Sequence, residues 1–233
     1  MSTVARGSRQ AAGAPWAVAI VGIIFSALFT VSLVLVRLAV SADPTEAGAW
    51  LTDPANRRWM HLALNLVPFA GITFLWFMGV LRNRVGALED QLFATAFVGS
   101  GLLFVGLLFV SAALASGMLA AFDAGGSVPT RSDAYAIDRA TTHVLINTFA
   151  IRMAAVFMFV MSAIELRTAI VPRWLAFVGY AFGLVLLLII TDFAWIALLF
   201  PLWVLLVSAY ILVADYRQRQ KVAVGDVVSD VHK

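Results

Sequence analysis

Apolar residues run along this chain in long blocks separated by short polar stretches. Six blocks, residues 16–40, 59–81, 92–122, 143–171, 174–191 and 193–214, approach or exceed the roughly 20 apolar residues that a helix needs to cross bilayer hydrocarbon. Only Thr191-Asp192-Phe193 divides the last two. The pattern therefore predicts an all-α, polytopic transmembrane helical bundle of six helices, with five as the alternative if those two blocks merge. Residues 1–15 form an N-terminal tail, 16–215 a single bundle, and 216–233 a polar C-terminal tail for which no regular structure is expected. The first block exceeds the roughly 7–15 residues of a signal-peptide core and no small-residue cleavage site follows it, so it is expected to remain as a helix.

The polar breaks carry their own signals. Asp43-Pro44 with Glu46 combines an N-cap, a proline at the first helical position and a capping box, which predicts a short interfacial helix. Asp53-Pro54 repeats the start signal ahead of the second span. The Gly- and Pro-containing stretch 123–132 reads as a loop, after which Ser132 or Asp133 caps the fourth helix. Trp16, Trp59, Trp174 and Trp195 stand at span ends, as an interfacial aromatic belt requires. Gly179 and Gly183, and the Gly99, Gly101 and Gly106 face, are candidate surfaces for close helix packing, for self-association or for a membrane-protein partner.

Composition agrees with lipid as the main solvent: 62% of residues are hydrophobic and 12% charged, against about a quarter charged in soluble domains. Charge then orients the bundle. Arg6, Arg9, Arg82, Arg84, Arg167, Arg173, Arg217, Arg219, Lys221 and Lys233 fall in alternate connections on one side, while Arg57, Arg58, Arg131 and Arg139 lie among seven acids on the other. The positive-inside bias predicts both termini in the cytoplasm. A nucleic-acid partner is not indicated. The chain has no Cys, which removes disulfides, thiolate metal ligation and cysteine nucleophiles together.

Ionisable and polar groups at membrane depth are the strongest functional pointers, since they need a partner, water or a ligand. Arg152 lies nine residues inside His143 with no acid expected at its depth, and Thr148 sits one turn away on the same face. The two readings are structural glue, with the guanidinium on helix carbonyls and hydroxyls, and an anion site. Arg37, one turn from its helix end, is expected to snorkel. His61 with Asn65 and His143 with Asn147 repeat an H-x3-N pattern at corresponding ends of the second and fourth spans. If those spans pack together, the four side chains form one polar layer. Pro68 frees the Leu64 carbonyl beside Asn65 and adds an acceptor to it. Two histidines on facing helices could ligate haem, but no c-type attachment motif is present. Metal, Walker, Rossmann and intramembrane-protease patterns are absent, so neither a cofactor nor catalysis is expected.

Residues 62–103, containing ALNLVPFAGITFLWFMGVLRNRVGALEDQLFATAFVGSGLL, and residues 196–217, IALLFPLWVLLVSAYILVADYR, resemble a group of multi-pass membrane proteins of actinobacterial type that has no assigned activity. The resemblance covers under half the chain and implies a bacterial cytoplasmic membrane as the location, with no functional residues attached. The residues themselves suggest binding or transport of a small anionic or amphipathic ligand through a polar cavity on the outer side. The alternatives are a non-catalytic accessory subunit of a larger membrane complex and a haem-b electron carrier.

Overall fold

The computed structural model describes residues 15–40, 49–85, 91–124, 133–168, 171–188 and 195–231. These are helical almost throughout: α1 (Pro15–Ala39), α2 (Ala49–Thr52), α3 (Pro54–Val85), α4 (Gln91–Asp123), α5 (Asp133–Val144), a π-helical segment (Leu145–Ala150), α6 (Ile151–Thr168), α7 (Arg173–Leu188), a 3-10 turn (Ile196–Leu198) and α8 (Leu199–Val231). Five helical stretches are long and apolar enough to cross a membrane. The sixth apolar helix, α7, has 16 residues, about 24 Å at 1.5 Å per residue, short of a hydrocarbon core of about 30 Å. The fold is therefore an all-α polytopic helical bundle with five helices long enough to cross a membrane and one shorter apolar helix.

Local chemistry explains several boundaries. The Asp53 carboxylate accepts the Ala55 amide at 2.8 Å, and Pro54 opens α3 where its missing N–H costs nothing. The Asp43-Glu46 capping box, the expected cap at Ser132 and the Thr191-Phe193 break lie outside the described residues; α2 is the single turn that follows the first of these. The fourth helix starts at Asp133, where its capping signal lies, ahead of the apolar block that begins at His143, and α5 runs without interruption through the π segment into α6. α8 likewise continues to Val231, where the polar tail predicted no regular structure. Once a helix is nucleated, each added residue gains a hydrogen bond without a new nucleation cost, and no proline intervenes.

Cross-helix contacts set the directions of the passes. Gly22, early in α1, faces Phe77, late in α3, and Ser208, in the second half of the last pass; α1 is thus antiparallel to both. Gly101 of α4 meets Met78 and Phe157, and Gly179 of α7 meets Ser162 of α6 and Trp203 of α8. The start of α1, the ends of α3, α6 and the last pass, and the starts of α4 and α7 consequently share one end of the bundle. Arg82, Arg167, Arg173 and Arg217 are exposed there, and we call it the basic end. α4 lies between α3 and α6, α7 pairs with α6, and α1 packs against α3 and α8.

The centre is a cluster of phenylalanines. The Phe74 ring stands 4.9 Å from Phe25, 5.3 Å from Phe104, 5.1 Å from Phe157 and 5.7 Å from Phe200, centroid to centroid. One residue of α3 thereby joins α1, α4, α6 and α8. Beside it is a cavity of about 20 Å³ lined by Phe29, Phe104, Leu108, Ile151 and other apolar side chains. A water there would find no polar side chain to bond, so the space stays dry. Outside, Ile24, Phe69, Trp76, Leu103, Val110, Phe177 and Leu184 are exposed. Such a surface suits lipid and would drive aggregation in water.

Four serine hydroxyls in the passes find carbonyls, as lipid favours, whereas Ser162 and Ser208 Oγ have no partner among the described residues. Ser32 donates across helices to the Ala63 carbonyl at 3.0 Å, while Ser26, Ser100 and Ser111 bond back to their own helices. The glycines divide by face. Gly101, Gly179 and Gly183 are buried at helix contacts inside the bundle, whereas added Cβ atoms at Gly99 and Gly106 would meet nothing within 4 Å. Gly179 and Gly183 thus follow the close-packing reading, inside the bundle against Ser162, Trp203, Ala155 and Phe159, rather than the alternative of a self-association surface.

Candidate functional site

A groove of about 470 Å³ opens between α3 and α4, at the end opposite the basic one. α3 contributes His61, Leu64, Asn65 and Pro68; α4 contributes Phe109, Ala112, Ala113 and Ser116. Descending α3 and ascending α4 puts His61 and Ser116 toward the mouth and Pro68 and Phe109 at depth. The groove is therefore polar at one end and apolar at the other, over about 10 Å of helix. It forms because α4 presents small residues here: Ala112 and Ala113 leave room that larger side chains would fill. Phe109 closes the floor by lying against Gly71, where an added Cβ would collide with its ring.

Asp123, the last residue of α4, ties the mouth. Its Oδ2 is 2.8 Å from His61 Nε2 and its Oδ1 is 3.4 Å from Arg57 Nε. Arg57 also donates to the Leu51 carbonyl at 2.8 Å and covers the Phe122 ring at 5.3 Å. Arg57 and His61 are one turn apart on α3, so one carboxylate bridges two successive donors. All three side chains are partly exposed, so the tie is worth at most about 1 kcal/mol per pair. Its role is to fix the geometry of the groove's rim.

Of the residues singled out in the sequence, the groove holds His61 and Asn65. Asn65 Nδ2 donates to the His61 carbonyl at 2.9 Å, up its own helix, instead of meeting the carbonyl expected to be freed by Pro68. His143 stands at the end of α5 and Asn147 in the π segment, both on the pass that packs along α4. The expected packing of the second against the fourth span, with one shared polar layer, is not observed. α4 separates the two backbones, and no residue of α5 or the π segment lines the groove. Core rings such as Phe74 and Phe157 do meet across the two passes.

Arg152 is half-buried and donates to the Thr148 carbonyl at 2.7 Å. Thr148 belongs to the π segment, where the change from i−4 to i−5 bonding releases a carbonyl from its usual partner. The interior face of α6 includes Ile151, Ala154, Ala155, Phe157, Met158 and Met161, so Arg152 borders the core without entering it. Arg152 and Thr148 are brought together; neither reaches the groove.

The sequence reading did not single out Asp123, Ser116 or the polar atoms buried near the basic end. Among the latter, Glu165 is 1% exposed, Ser162 and Trp203 are fully buried, and both Glu165 oxygens, Ser162 Oγ and Trp203 Nε1 have no hydrogen-bond partner among the described residues. The i, i+3 spacing of Ser162 and Glu165 was visible in the sequence, but the arrival of Trp203 from α8 was not. No group of three or more potential metal ligands occurs among the described residues. Comparison with protein-family models, with curated proteins and with solved structures found no match, so the reading of these sites rests on their chemistry.

Proposed function

We propose that this protein sits in a bacterial plasma membrane with both termini in the cytoplasm, and that it binds one amphipathic molecule in the α3–α4 groove. The polar head lies toward His61, Asn65 and Ser116, and the apolar part along Leu64, Pro68 and Phe109. One observation supports this above others: the groove grades from polar to apolar along its length and opens sideways at the bundle surface, while the interior is filled by phenylalanine rings. A molecule from the bilayer can enter such a groove without crossing the core. Binding, not passage, is the activity that this geometry favours.

The test is photocrosslinking of the purified protein with a clickable, photoreactive phospholipid. Adducts are expected to concentrate in residues 61–68 and 109–116, and Ala113→Phe, which fills the groove, should remove most of them. Adducts spread evenly over all lipid-facing helices, or unchanged in Ala113→Phe, would indicate ordinary bilayer contact and reject the proposal.

A second reading, an accessory subunit or self-associating protein, is favoured by the stripe of small residues on α4 that runs past the groove and includes Ala113 of its lining. Gly99, Gly106, Ala113 and Ala120 recur at seven-residue spacing, and α4 is the least covered of the five long passes. Small residues at that spacing let a second helix approach closely. A disulfide between copies carrying Gly106→Cys, formed at low protein density in membranes, would support it; its absence with a reactive thiol would count against it.

A further inference from the structure

Three helices bring polar atoms together in the half of the bundle nearest the basic end. Glu165 and Ser162 are one turn apart on α6 and face the same way. Gly179 of α7 packs closely on Ser162: an added Cβ there would run into Ser162 Oγ and stand 2.6 Å from Trp203 Nε1. Ser162 Oγ and Trp203 Nε1 therefore border the same small volume. Glu165 is 1% exposed, the other two are fully buried, and none of the three has a hydrogen-bond partner among the described residues.

A carboxylate in such a place needs a positive partner, because desolvating an ion without one is far costlier than leaving it in water. The ionisable side chains toward this end on the elements packed against α6 are Arg173 and Tyr180 on α7, the Tyr180 ring lying 5.6 Å from Phe159, and Tyr210, Asp215, Tyr216 and Arg217 on α8, while residues 93–108 of α4 carry none. Arg167, two residues along α6, points away and covers the Phe93 ring at 4.3 Å. None of these reaches a Glu165 oxygen. Three residues separate Glu165 from the end of α6 at Thr168, about 4.5 Å of helix rise, so the path from the basic end is short.

We propose that Glu165, Ser162 and Trp203 form an exchangeable site for one monovalent cation, a proton or a sodium ion, reached from the basic end of the bundle. Glu165 supplies the charge and Ser162 Oγ a second oxygen. The Trp203 N–H serves the carboxylate or a water that accompanies the ion. This site is independent of the α3–α4 groove, and its test reads neither lipid binding nor the groove residues.

The purified full-length protein is treated with dicyclohexylcarbodiimide, which adds to protonated carboxyl groups in apolar surroundings: the acid proton passes to a carbodiimide nitrogen, the carboxyl oxygen bonds the central carbon, and the acyl group then migrates to nitrogen. Peptide mass spectrometry should find the adduct on Glu165, with labelling lost as pH rises and no adduct in Glu165→Gln. Protection by millimolar sodium chloride at fixed pH, without protection by choline chloride, identifies sodium as the occupant; pH dependence without protection identifies the proton. Ser162→Ala should weaken sodium protection several-fold while leaving the labelling site unchanged. An unlabelled Glu165 in a recovered peptide, or labelling indifferent to both pH and sodium, overturns the proposal. Thermal unfolding supplies a second readout: the wild-type midpoint should move with pH or sodium, and that of Glu165→Gln should not.

Discussion

Arg152 shows how a single side chain can look like a ligand site in sequence and serve the backbone in the fold. A guanidinium bonded to the Thr148 carbonyl at 2.7 Å satisfies a π-segment acceptor that lipid could not. Arg152→Met should therefore cost about 1.5–3 kcal/mol of stability, the value of a hydrogen bond to a charged group, and should leave lipid crosslinking in the groove unchanged. Thermal unfolding in detergent checks the first part; undiminished stability would return Arg152 to the list of candidate anion ligands. Asp123→Asn is expected to cost less than about 1 kcal/mol, because both of its pairs are partly exposed. The two cases were unequally legible. Arg152 stood out because a cation in an apolar run is rare, whereas Asp123 ends a helix and bonds a histidine 62 positions away, a partner that no local pattern specifies. Glu165 was visible as an inner-end acid, but its lack of a partner is a property of packing.

At the scale of helices, the length of the apolar blocks located the bundle's helices, since α1, α3, α4, the α5–α6 rod, α7 and α8 each overlap one block. Neighbours were another matter. Two H-x3-N patterns suggested that the second and fourth spans pack together, yet α4 comes between them, because a lipid-facing and a helix-facing surface can be equally apolar. The same ambiguity hid the difference between glycines. An added side chain at Gly179 meets Ser162 and Trp203, while at Gly106 it meets nothing within 4 Å. Gly179→Val should thus lower stability by about 1–3 kcal/mol, the usual cost of overpacking, and Gly106→Val should be close to neutral in a monomer. Equal losses at the two positions in a thermal unfolding series would contradict the assigned faces. At the centre, Phe74→Ala removes the ring shared by four other helices and should cost about 2–3 kcal/mol, less than the roughly 3–5 kcal/mol seen in water-soluble cores, since lipid tails replace part of the apolar contact.

For the molecule as a whole, the number of passes decides where the chain ends lie, and α7 is the pass on which that number turns. Its 16 residues fall short of a full span, and the alternative of five spans would leave it lying within one leaflet. Packing argues otherwise. Gly179 meets Ser162 and Trp203, and Gly183 meets Ala155 and Phe159; α7 therefore climbs α6 in antiparallel register from the basic end, and Leu186 reaches the central cavity beside Ile151. The following helix starts at Leu199 and returns Trp203 to the level of Gly179. Between Arg84 and Arg217 the chain then makes four passes, through α4, the α5–α6 rod, α7 and α8, so both positions should lie on the same side. Reporter fusions after Arg84 and after Arg217 are expected to give the same sidedness, and a fusion after Gly126 the opposite one. With α7 not counted as a pass, three crossings would separate Arg84 from Arg217, and their reporters would disagree. That disagreement would also dismantle the cation site, because Trp203 could no longer descend beside Gly179 to meet Ser162.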